Sequence, residues 1–382
     1  MNTSATQKRN ASPAVASTAS EPAVDSMWSN ARINPPGFTP AADTAVAALS
    51  VDPGLLLYAI SSENQMFELA RKSSSWSVLD LSAITETFTQ PLSDLTAVSL
   101  GMNGKRIYYQ SPQNQIREFV WNAPVDEDWK DNLISGSAAV ASNTPLGSLT
   151  INSLPHVYYI APDDHVHELD YHEGKGWINN DLTAQASAHL AQPLSPLKVT
   201  TAFNGPYPRV YFLDNANHVC ELAWVGHSPW KFRDLTAETG VSPAQGHSPL
   251  ACMAVKGNPQ VYYLGLDNSL HELFWDGVNK WHDRNLTVLA SVNSPVKPAA
   301  ARSPLACALF ADISRAFYLG NDLSVHQMTS GPGAPADLNL TVVTSAQPAA
   351  GLSPLTAVVE ANVLHVIYNA SNGLAEFISA TR

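Results

Sequence analysis

Apolar and polar residues alternate along most of this chain, and the alternation recurs in a repeated segment. In each copy, an aromatic stretch rich in Val, Ile and Tyr is followed by a short polar turn and a second stretch that ends in glutamate or, in the copy from Arg315, in Gln327. The four clearest copies are RIYYQSPQNQIREFVW from Arg106, HVYYIAPDDHVHELDY from His156, RVYFLDNANHVCELAW from Arg209 and QVYYLGLDNSLHELFW from Gln260. Weaker copies start at Leu56, Arg315 and His365. A period of two residues between turn residues predicts a pair of β-strands in every copy.

Two further patterns keep the same register as this segment. A Ser-Pro-Leu-like motif followed by alternating small and apolar residues precedes six copies, with its leucine at Leu95, Leu146, Leu197, Leu250, Leu305 and Leu355. A tryptophan and an Asp-Leu-Thr-like motif follow most copies, as in Trp177 with Asp181 and Leu182. These patterns predict a first and a fourth strand in each unit. Four-stranded antiparallel units that recur about every 51 residues are typical of β-propellers, so the sequence predicts an all-β, seven-bladed propeller.

The last unit ends at Arg382 without a tryptophan strand, and the N-terminal region supplies a candidate for it. Residues 28–33 (WSNARI) align with residues 281–286 (WHDRNL) of the fifth unit. We therefore predict that the N-terminal strand completes the last blade and closes the ring. Seven units account for residues 27–382, which we expect to form one domain. Residues 1–26, rich in Ala, Ser and Thr, are predicted to be a disordered tail.

Composition and charge exclude several classes of protein. Charged residues make up 14% of the chain and hydrophobic residues 45%, which permits a large core. The net charge of −12 argues against nucleic acid as a partner, because phosphate binding needs a basic surface. No run of 18 apolar residues occurs, so membrane insertion is not expected. The first 26 residues lack a signal-peptide pattern, which predicts a protein that is cytoplasmic or exported without a classical signal peptide.

Motifs for metal binding and catalysis are not evident in the sequence. The three cysteines, Cys220, Cys252 and Cys307, have no CxxC spacing and resemble reduced apolar residues. The segment from His167 to His172 resembles HExxH with one residue too many, and a strand would direct these two histidines to opposite faces. A glycan-acting enzyme would need paired carboxylates, whereas the repeat supplies one per blade. We therefore predict no metal, no cofactor and no enzymatic activity.

The position twelve residues before each glutamate, eleven in the last unit, carries several arginines and histidines. The spacing alone leaves open that these pairs are surface ion pairs or that the glutamates only hold turns together. The Arg-Ile/Val-Tyr-Tyr/Phe, Glu-Leu/Phe and Trp pattern, however, resembles the fucose-specific propeller lectins of fungi and soil bacteria over all seven units. That family usually closes six blades. The seven-bladed, fucose-binding lectins of insect-associated bacteria are also similar.

The resemblance implies that a sugar binds between adjacent blades, with Arg and Glu from one blade and two aromatic residues from the next. Three implied sites are Arg209 and Glu221 with Trp275 and Trp281, Arg106 and Glu118 with Tyr171 and Trp177, and His156 and Glu168 with Trp224 and Trp230. In the third site histidine replaces the arginine fork. The other four clefts depart further from the pattern: Leu56 replaces the arginine, Gln260 faces Ser330, Arg315 with Gln327 faces Ser379, and His365 faces Arg71.

The resemblance implies a multivalent lectin that recognises L-fucose or fucosylated glycans and glycoproteins. Several weak sites on one surface would give strong attachment, and a homo-oligomer would extend this effect. The alternative is a protein-interaction propeller whose sugar sites have decayed, and a glycan array distinguishes the two hypotheses. For the lectin, we expect the combination of Arg209→Ala and Arg106→Ala to abolish retention on a fucosyl matrix without much change in melting temperature.

Overall fold

The computed structural model of the chain describes residues 27–380, except residues 42, 43, 52, 53, 73, 74, 102, 103, 127, 228, 293, 294 and 332. It contains seven antiparallel sheets of four strands each. The first strands of successive sheets contact one another around a ring, and those of the first and seventh sheets also meet. The predicted seven-bladed β-propeller is therefore confirmed. The tail predicted for residues 1–26 lies outside the described residues.

The strands occupy the same four positions in every blade. The first strands are β2 (Val46–Val51), β6 (Thr96–Leu100), β10 (Gly147–Ile151), β14 (Lys198–Ala202), β18 (Ala251–Val255), β22 (Ala306–Phe310) and β26 (Leu355–Glu360). The second strands are β3 (Gly54–Ile60), β7 (Gly104–Gln110), β11 (Leu154–Ile160), β15 (Tyr207–Leu213), β19 (Asn258–Leu264), β23 (Ile313–Leu319) and β27 (Val363–Ala370). These second strands are the most deeply buried, as their aromatic and aliphatic sequences predict.

The third and fourth strands lie farther from the ring axis. The third strands are β4 (Met66–Lys72), β8 (Ile116–Asn122), β12 (Val166–His172), β16 (Val219–Ala223), β20 (Leu270–Trp275), β24 (Val325–Ser330) and β28 (Gly373–Ala380). The fourth strands are β5 (Ser75–Asp80), β9 (Lys130–Leu133), β13 (Gly176–Asp181), β17 (Lys231–Asp234), β21 (Trp281–Asn285), β25 (Ala336–Asn339) and, in blade seven, β1 (Met27–Ile33).

The N-terminal strand closes the ring as the sequence predicts. Strand β1 pairs antiparallel with β28, with Trp28 opposite Ser379 and Ile33 opposite Leu374. Ile33 is only 1% exposed, and Trp28 packs edge-on against Phe317 of blade six. Because β1 supplies the fourth strand of blade seven, the ends of the described chain are held together by a full strand pairing.

The Asp-Leu-Thr-like motif does more than end a fourth strand. In five blades it begins a short helix that the sequence analysis did not predict: α1 (Leu81–Thr85), α2 (Leu182–Ala186), α3 (Leu235–Thr239), α4 (Leu286–Ser291) and α5 (Leu340–Thr344). The Asp or Asn of the motif caps the helix, as when Asp234 Oδ1 accepts from the Ala237 amide. The Thr236 hydroxyl accepts from the Val219 amide at the start of β16. The motif therefore attaches each helix to the third strand of its own blade.

The Ser-Pro-Leu motif has a comparable role at the other end of the unit. The Ser195 hydroxyl accepts a hydrogen bond from the Leu213 amide at the end of β15, and Ser248 and Ser303 repeat this contact in the next two blades. The serine hydroxyl thus provides a hydrogen-bond acceptor for a buried backbone amide at the end of the strand. No helix in the described part of the chain is long and apolar enough to span a membrane.

Candidate functional site

In blades one to five, the repeated glutamate lies on the third strand directly opposite a tyrosine of the second strand. The tyrosine hydroxyls donate to the carboxylates over 2.8 to 3.1 Å, in the pairs Tyr58–Glu68, Tyr108–Glu118, Tyr158–Glu168, Tyr211–Glu221 and Tyr262–Glu272. Burial raises the pKa of Glu118 and of Glu221, although a neighbouring arginine opposes the shift in each case. These glutamates are therefore buried polar groups rather than edge residues that only hold turns.

Cleft A lies between blades two and three and brings together four residues assigned from the sequence. Arg106 and Glu118 come from β7 and β8, with Arg106 Nε 3.4 Å from Glu118 Oε1. Tyr171 and Trp177 are cross-strand partners on β12 and β13, with ring centres 5.4 Å apart. The four side chains line one cavity of about 590 Å³. A cation, a carboxylate and two aromatic rings from neighbouring blades thus face the same space.

Cleft B, between blades three and four, is wider. His156 Nδ1 lies 3.0 Å from Glu168 Oε1, and the rings of Trp224 and Trp230 are 5.9 Å apart at their centres. All four line a cavity of about 790 Å³. The sequence analysis did not assign three further residues that line this cavity, Asp170, His172 and Tyr207. Tyr171 lines cleft B as well as cleft A, so one aromatic residue separates the two cavities.

Cleft C, between blades four and five, matches the family pattern completely and is the narrowest of the three. Arg209, Glu221, Trp275 and Trp281 line a cavity of only about 90 Å³. The guanidinium of Arg233 lies over the Trp275 ring, 5.0 Å from its centre, and occupies the aromatic face that the cleft would otherwise present. The four residues predicted from the sequence do meet, but little open space remains between them.

We attribute this difference in width to the residue opposite the glutamate on the fourth strand. Asn132 stands opposite Glu118 in cleft A, and Asn180 stands opposite Glu168 in cleft B. In cleft C the same position is Arg233, opposite Glu221. The long arginine side chain reaches the next blade, whereas the short amides do not. The sequence analysis missed this position, although it immediately precedes the last fourth-strand residue in all three blades.

Arg209 contributes to the fold as well as to cleft C. Its side chain is 5% exposed, and its Nε lies 3.5 Å from Glu221 Oε1. Its Nη1 donates to the carbonyls of Pro208 at 3.0 Å and of Trp224 at 2.6 Å. Removing this side chain would take the nearest cation from the buried Glu221 carboxylate and a donor from the carbonyls of Pro208 and Trp224. We therefore expect Arg209→Ala to lower stability, contrary to the expectation drawn from the sequence.

Two of the tryptophans assigned to the clefts, Trp281 at the start of β21 and Trp230 immediately before β17, belong largely to the core. Trp230 and Trp281 are 5% and 3% exposed, and each packs edge-on against the tyrosine of the preceding blade, Tyr158 or Tyr211. Trp224 and Trp275 are more exposed at their respective clefts. The more accessible aromatic wall of clefts B and C is therefore the tryptophan three residues after the glutamate, and the second tryptophan mainly joins adjacent blades.

In the other four clefts, side chains of the protein itself contact the residues that occupy the repeated arginine and glutamate positions. Lys105 Nζ lies 3.0 Å from Glu68 and 4.6 Å from the ring centre of Trp121, between blades one and two. Arg71 Nη1 lies 3.1 Å from His365 Nδ1, between blades seven and one. Two further contacts are Ser314 Oγ to Gln260 Oε1, at 3.0 Å, and Arg315 Nη1 to Gln327 Oε1, at 2.8 Å. The sequence-based separation of three sites from four remains a prediction.

A family model described as fungal fucose-specific lectin matches residues 14–239 of the chain. The chain belongs to this family. It is also 23% identical over 205 residues to a fucose-specific lectin from Aspergillus oryzae, a match that covers 50% of this chain and 62% of that lectin. A fucose-specific lectin from Aspergillus fumigatus is 23% identical over 125 residues, or 31% of this chain and 38% of the relative. The chain thus spans less than two thirds of the length of these relatives.

Solved structures that have low sequence identity to this chain share its fold. The BP39L lectin from Burkholderia pseudomallei superposes with a TM-score of 0.67 at 12% identity, covering 89% of this chain and 99% of that one. A lectin from Aleuria aurantia, described as a six-bladed β-propeller, gives a TM-score of 0.55 at 19% identity and covers 76% and 93% of the two chains. The present chain closes seven blades.

Proposed function

We propose that the protein is a non-enzymatic, carbohydrate-binding lectin that takes L-fucose, alone or in fucosylated glycans, in clefts A, B and C. The observation that carries this proposal is cleft A, where the Arg106 and Glu118 side chains of one blade face Tyr171 and Trp177 of the next across an open cavity. Membership of the fungal fucose-specific lectin family supports fucose as the sugar.

The chemistry of cleft A suits a neutral deoxy sugar. The carboxylate of Glu118 can accept hydrogen bonds from sugar hydroxyls, and the Arg106 guanidinium can donate to hydroxyl or ring oxygens. The rings of Tyr171 and Trp177 offer apolar surface to the C–H groups and the methyl group of the sugar. The cavity of about 590 Å³ falls within the ordinary range for small-molecule sites.

Cleft B retains the carboxylate and the aromatic wall, with His156 in place of the arginine, and cleft C has all four groups in a narrower space. Three clefts on successive blades present several binding positions to a branched or densely displayed glycan. Each contact is expected to be weak, and simultaneous binding raises the effective concentration at the remaining sites. We propose that fucosylated glycoproteins are the partners and that attachment depends on this avidity.

The test is titration calorimetry with methyl α-L-fucoside, compared between Tyr171→Ala and Tyr171→Phe. Because Tyr171 lines clefts A and B, loss of its ring is expected to weaken binding about 10- to 100-fold there, equivalent to about 1.4 to 2.8 kcal/mol. The phenylalanine variant keeps the ring and is expected to bind within about threefold of wild type. Phe88→Ala, at an exposed residue outside these cavities, is the control for general effects of aromatic loss.

Equal affinity of wild type and Tyr171→Ala would refute the placement of the sugar in clefts A and B. A glycan array tests the function itself. If the wild-type protein binds no fucosylated glycan on a broad array, the lectin proposal fails and a protein-interaction propeller becomes the better account of the fold.

A further inference from the structure

Cleft B differs from the other clefts in the charge that surrounds its glutamate. In blades one, two, four, five and seven, the repeated glutamate has an arginine or lysine nearby, in the pairs Glu68–Lys105, Glu118–Arg106, Glu221–Arg209, Glu272–Arg284 and Glu376–Arg71. Glu168 pairs only with His156 among the described residues. Asp170 adds a second carboxylate beside it, paired only with His156 and His172 in the described part of the chain. Cleft B therefore concentrates negative charge without a permanent cation.

Three metal-ligating atoms converge at this point. His156 Nδ1 lies 3.0 Å from Glu168 Oε1 and 3.4 Å from Asp170 Oδ1, and the three donor atoms all lie within 4.8 Å of one another. Donors about 2.1 Å from a tetrahedral zinc ion are separated by about 3.4 Å, so these spacings need little change to surround an ion. Imidazole nitrogen and carboxylate oxygen are ordinary zinc ligands.

The surrounding residues hold the donors in place. His172 Nε2 lies 2.8 Å from Asp170 Oδ2, the carboxylate oxygen that faces away from His156. The Tyr158 hydroxyl donates to Glu168 Oε1 at 2.9 Å, and Asn180 Nδ2 donates to Glu168 Oε2 at 3.4 Å. Metal ligands in proteins are commonly oriented by outer contacts of this kind. The remaining side of the cluster opens into the cavity of about 790 Å³.

We propose that cleft B contains a binding site for a divalent metal ion of the zinc class, with His156, Glu168 and Asp170 as ligands and the open position facing the cavity. The ion would supply the positive charge that arginine or lysine supplies in the other clefts. Glu168, Asp170 and His172 alternate along β12 and share one face, whereas His167 points to the opposite face. The sequence argument against a metal concerned His167 with His172 and does not apply to this set.

Three other clusters of described residues bring potential ligands together: Asp163, His165 and His167, then Asp214, His218 and Asp234, and finally His189, Asp214 and Cys220, which is a weaker candidate for the same ion. Asp214 Oδ1 already accepts from the amides of Ala216 and His218, and burial raises the pKa of the Cys220 thiol. Metal binding there would require a thiolate in a largely apolar environment. The cluster of His189, Asp214 and Cys220 is therefore a competing metal site that the test of cleft B must exclude.

The test is titration of the full chain, stripped with EDTA, with ZnCl₂ in a calorimeter and with CoCl₂ in a spectrophotometer, both without sugar. Wild type is expected to bind one ion in cleft B. His156→Gln and Asp170→Asn, which keep side-chain size, are each expected to weaken binding at least about tenfold, and His172→Gln about 10- to 100-fold. His167→Gln, on the opposite face of the same strand, and Cys220→Ser each remove a potential ligand from another of these clusters, so they are the matched controls and should bind as wild type does.

Melting temperatures establish that each variant is folded before its affinity is compared. The proposal fails if wild type binds neither ion, or if both His156→Gln and Asp170→Asn bind zinc as tightly as wild type. It also fails if the affinity is lost in His167→Gln or Cys220→Ser, or if the cobalt spectrum shows a thiolate charge-transfer band. Because no sugar is present, these results do not depend on whether the protein binds fucose.

Discussion

Replacing Arg233 with asparagine should convert cleft C into a cleft like A and B. The guanidinium of Arg233 lies 5.0 Å from the centre of the Trp275 ring and 3.5 Å from Glu238 Oε1. Clefts A and B have Asn132 and Asn180 at the corresponding position, and their cavities measure about 590 and 790 Å³, compared with about 90 Å³ for cleft C. A small-molecule site ordinarily measures at least about 300 Å³, so a sugar in cleft C must displace Arg233.

The energetic effect follows from the contacts that Arg233 would lose when a sugar displaces it. Its side chain is 40% exposed. A cation–π contact at such an exposed site contributes about 0.5 to 1 kcal/mol, and its ion pairs with Glu238, at 3.5 Å, and with Glu221, at 4.0 Å, add little. Removing this competition is expected to tighten fucoside binding in cleft C by about two- to fivefold. The change is modest because Trp275 and Glu221 stay in place.

Calorimetry with methyl α-L-fucoside on a Tyr171→Ala and Trp224→Ala background isolates cleft C, because those substitutions remove aromatic walls of clefts A and B. The control is Arg302→Asn, the same change at an exposed residue whose left-handed backbone suits asparagine. The control should bind as its parent does. Weaker binding by Arg233→Asn would refute the reasoning, since it would mean that Arg233 holds the sugar rather than blocking it.

Three further predictions concern stability and use thermal and urea unfolding. Arg209→Ala is expected to lower the free energy of unfolding by about 3 kcal/mol, because it removes the cation nearest the buried Glu221 carboxylate and leaves only Arg233, whose Nε lies 4.0 Å from Glu221 Oε2; a loss below about 1 kcal/mol would contradict this. Ile33→Ala, in the strand that closes the ring, is expected to cost about 2 to 5 kcal/mol, whereas the exposed Ser29→Ala should be nearly neutral. Burial raises the pKa of Glu118, so the folded state binds a proton more readily than the unfolded state. Wild-type stability should therefore rise relative to Glu118→Gln as the pH falls from that raised pKa toward about 4.5, and a constant difference across this window would count against the assignment.

Much of the fold follows from local sequence. The repeated aromatic strands, their turns and the register of the glutamates predict the blades, and the likeness of residues 28–33 to a fourth strand predicts how the ring closes. The short helices were missed because five or six residues carry too little helical periodicity to be recognised. Their Asp or Asn caps were present in the repeat, as at Asp181, but were interpreted only as the end of a strand.

The candidate clefts were predicted less completely than the blades. The residues brought together in cleft A come from two consecutive repeats, so a resemblance that fixes the repeat register also assigns them. Cleft width depends on a position that is not part of the family pattern. This position is Asn132 in cleft A, Asn180 in cleft B and Arg233 in cleft C. Which of these side chains reaches across to the next blade depends on side-chain length and on the distance between blades.

The sequence by itself therefore determined the blade count, the strand order and the register of the repeated glutamates, because these depend on periodic contacts within one unit. Only the tertiary structure decided which clefts are open, which tryptophans lie in the core and where His156, Glu168 and Asp170 converge. Those properties arise between strands and between blades. Packing there depends on the three-dimensional distances between side chains, which spacing along the chain does not specify.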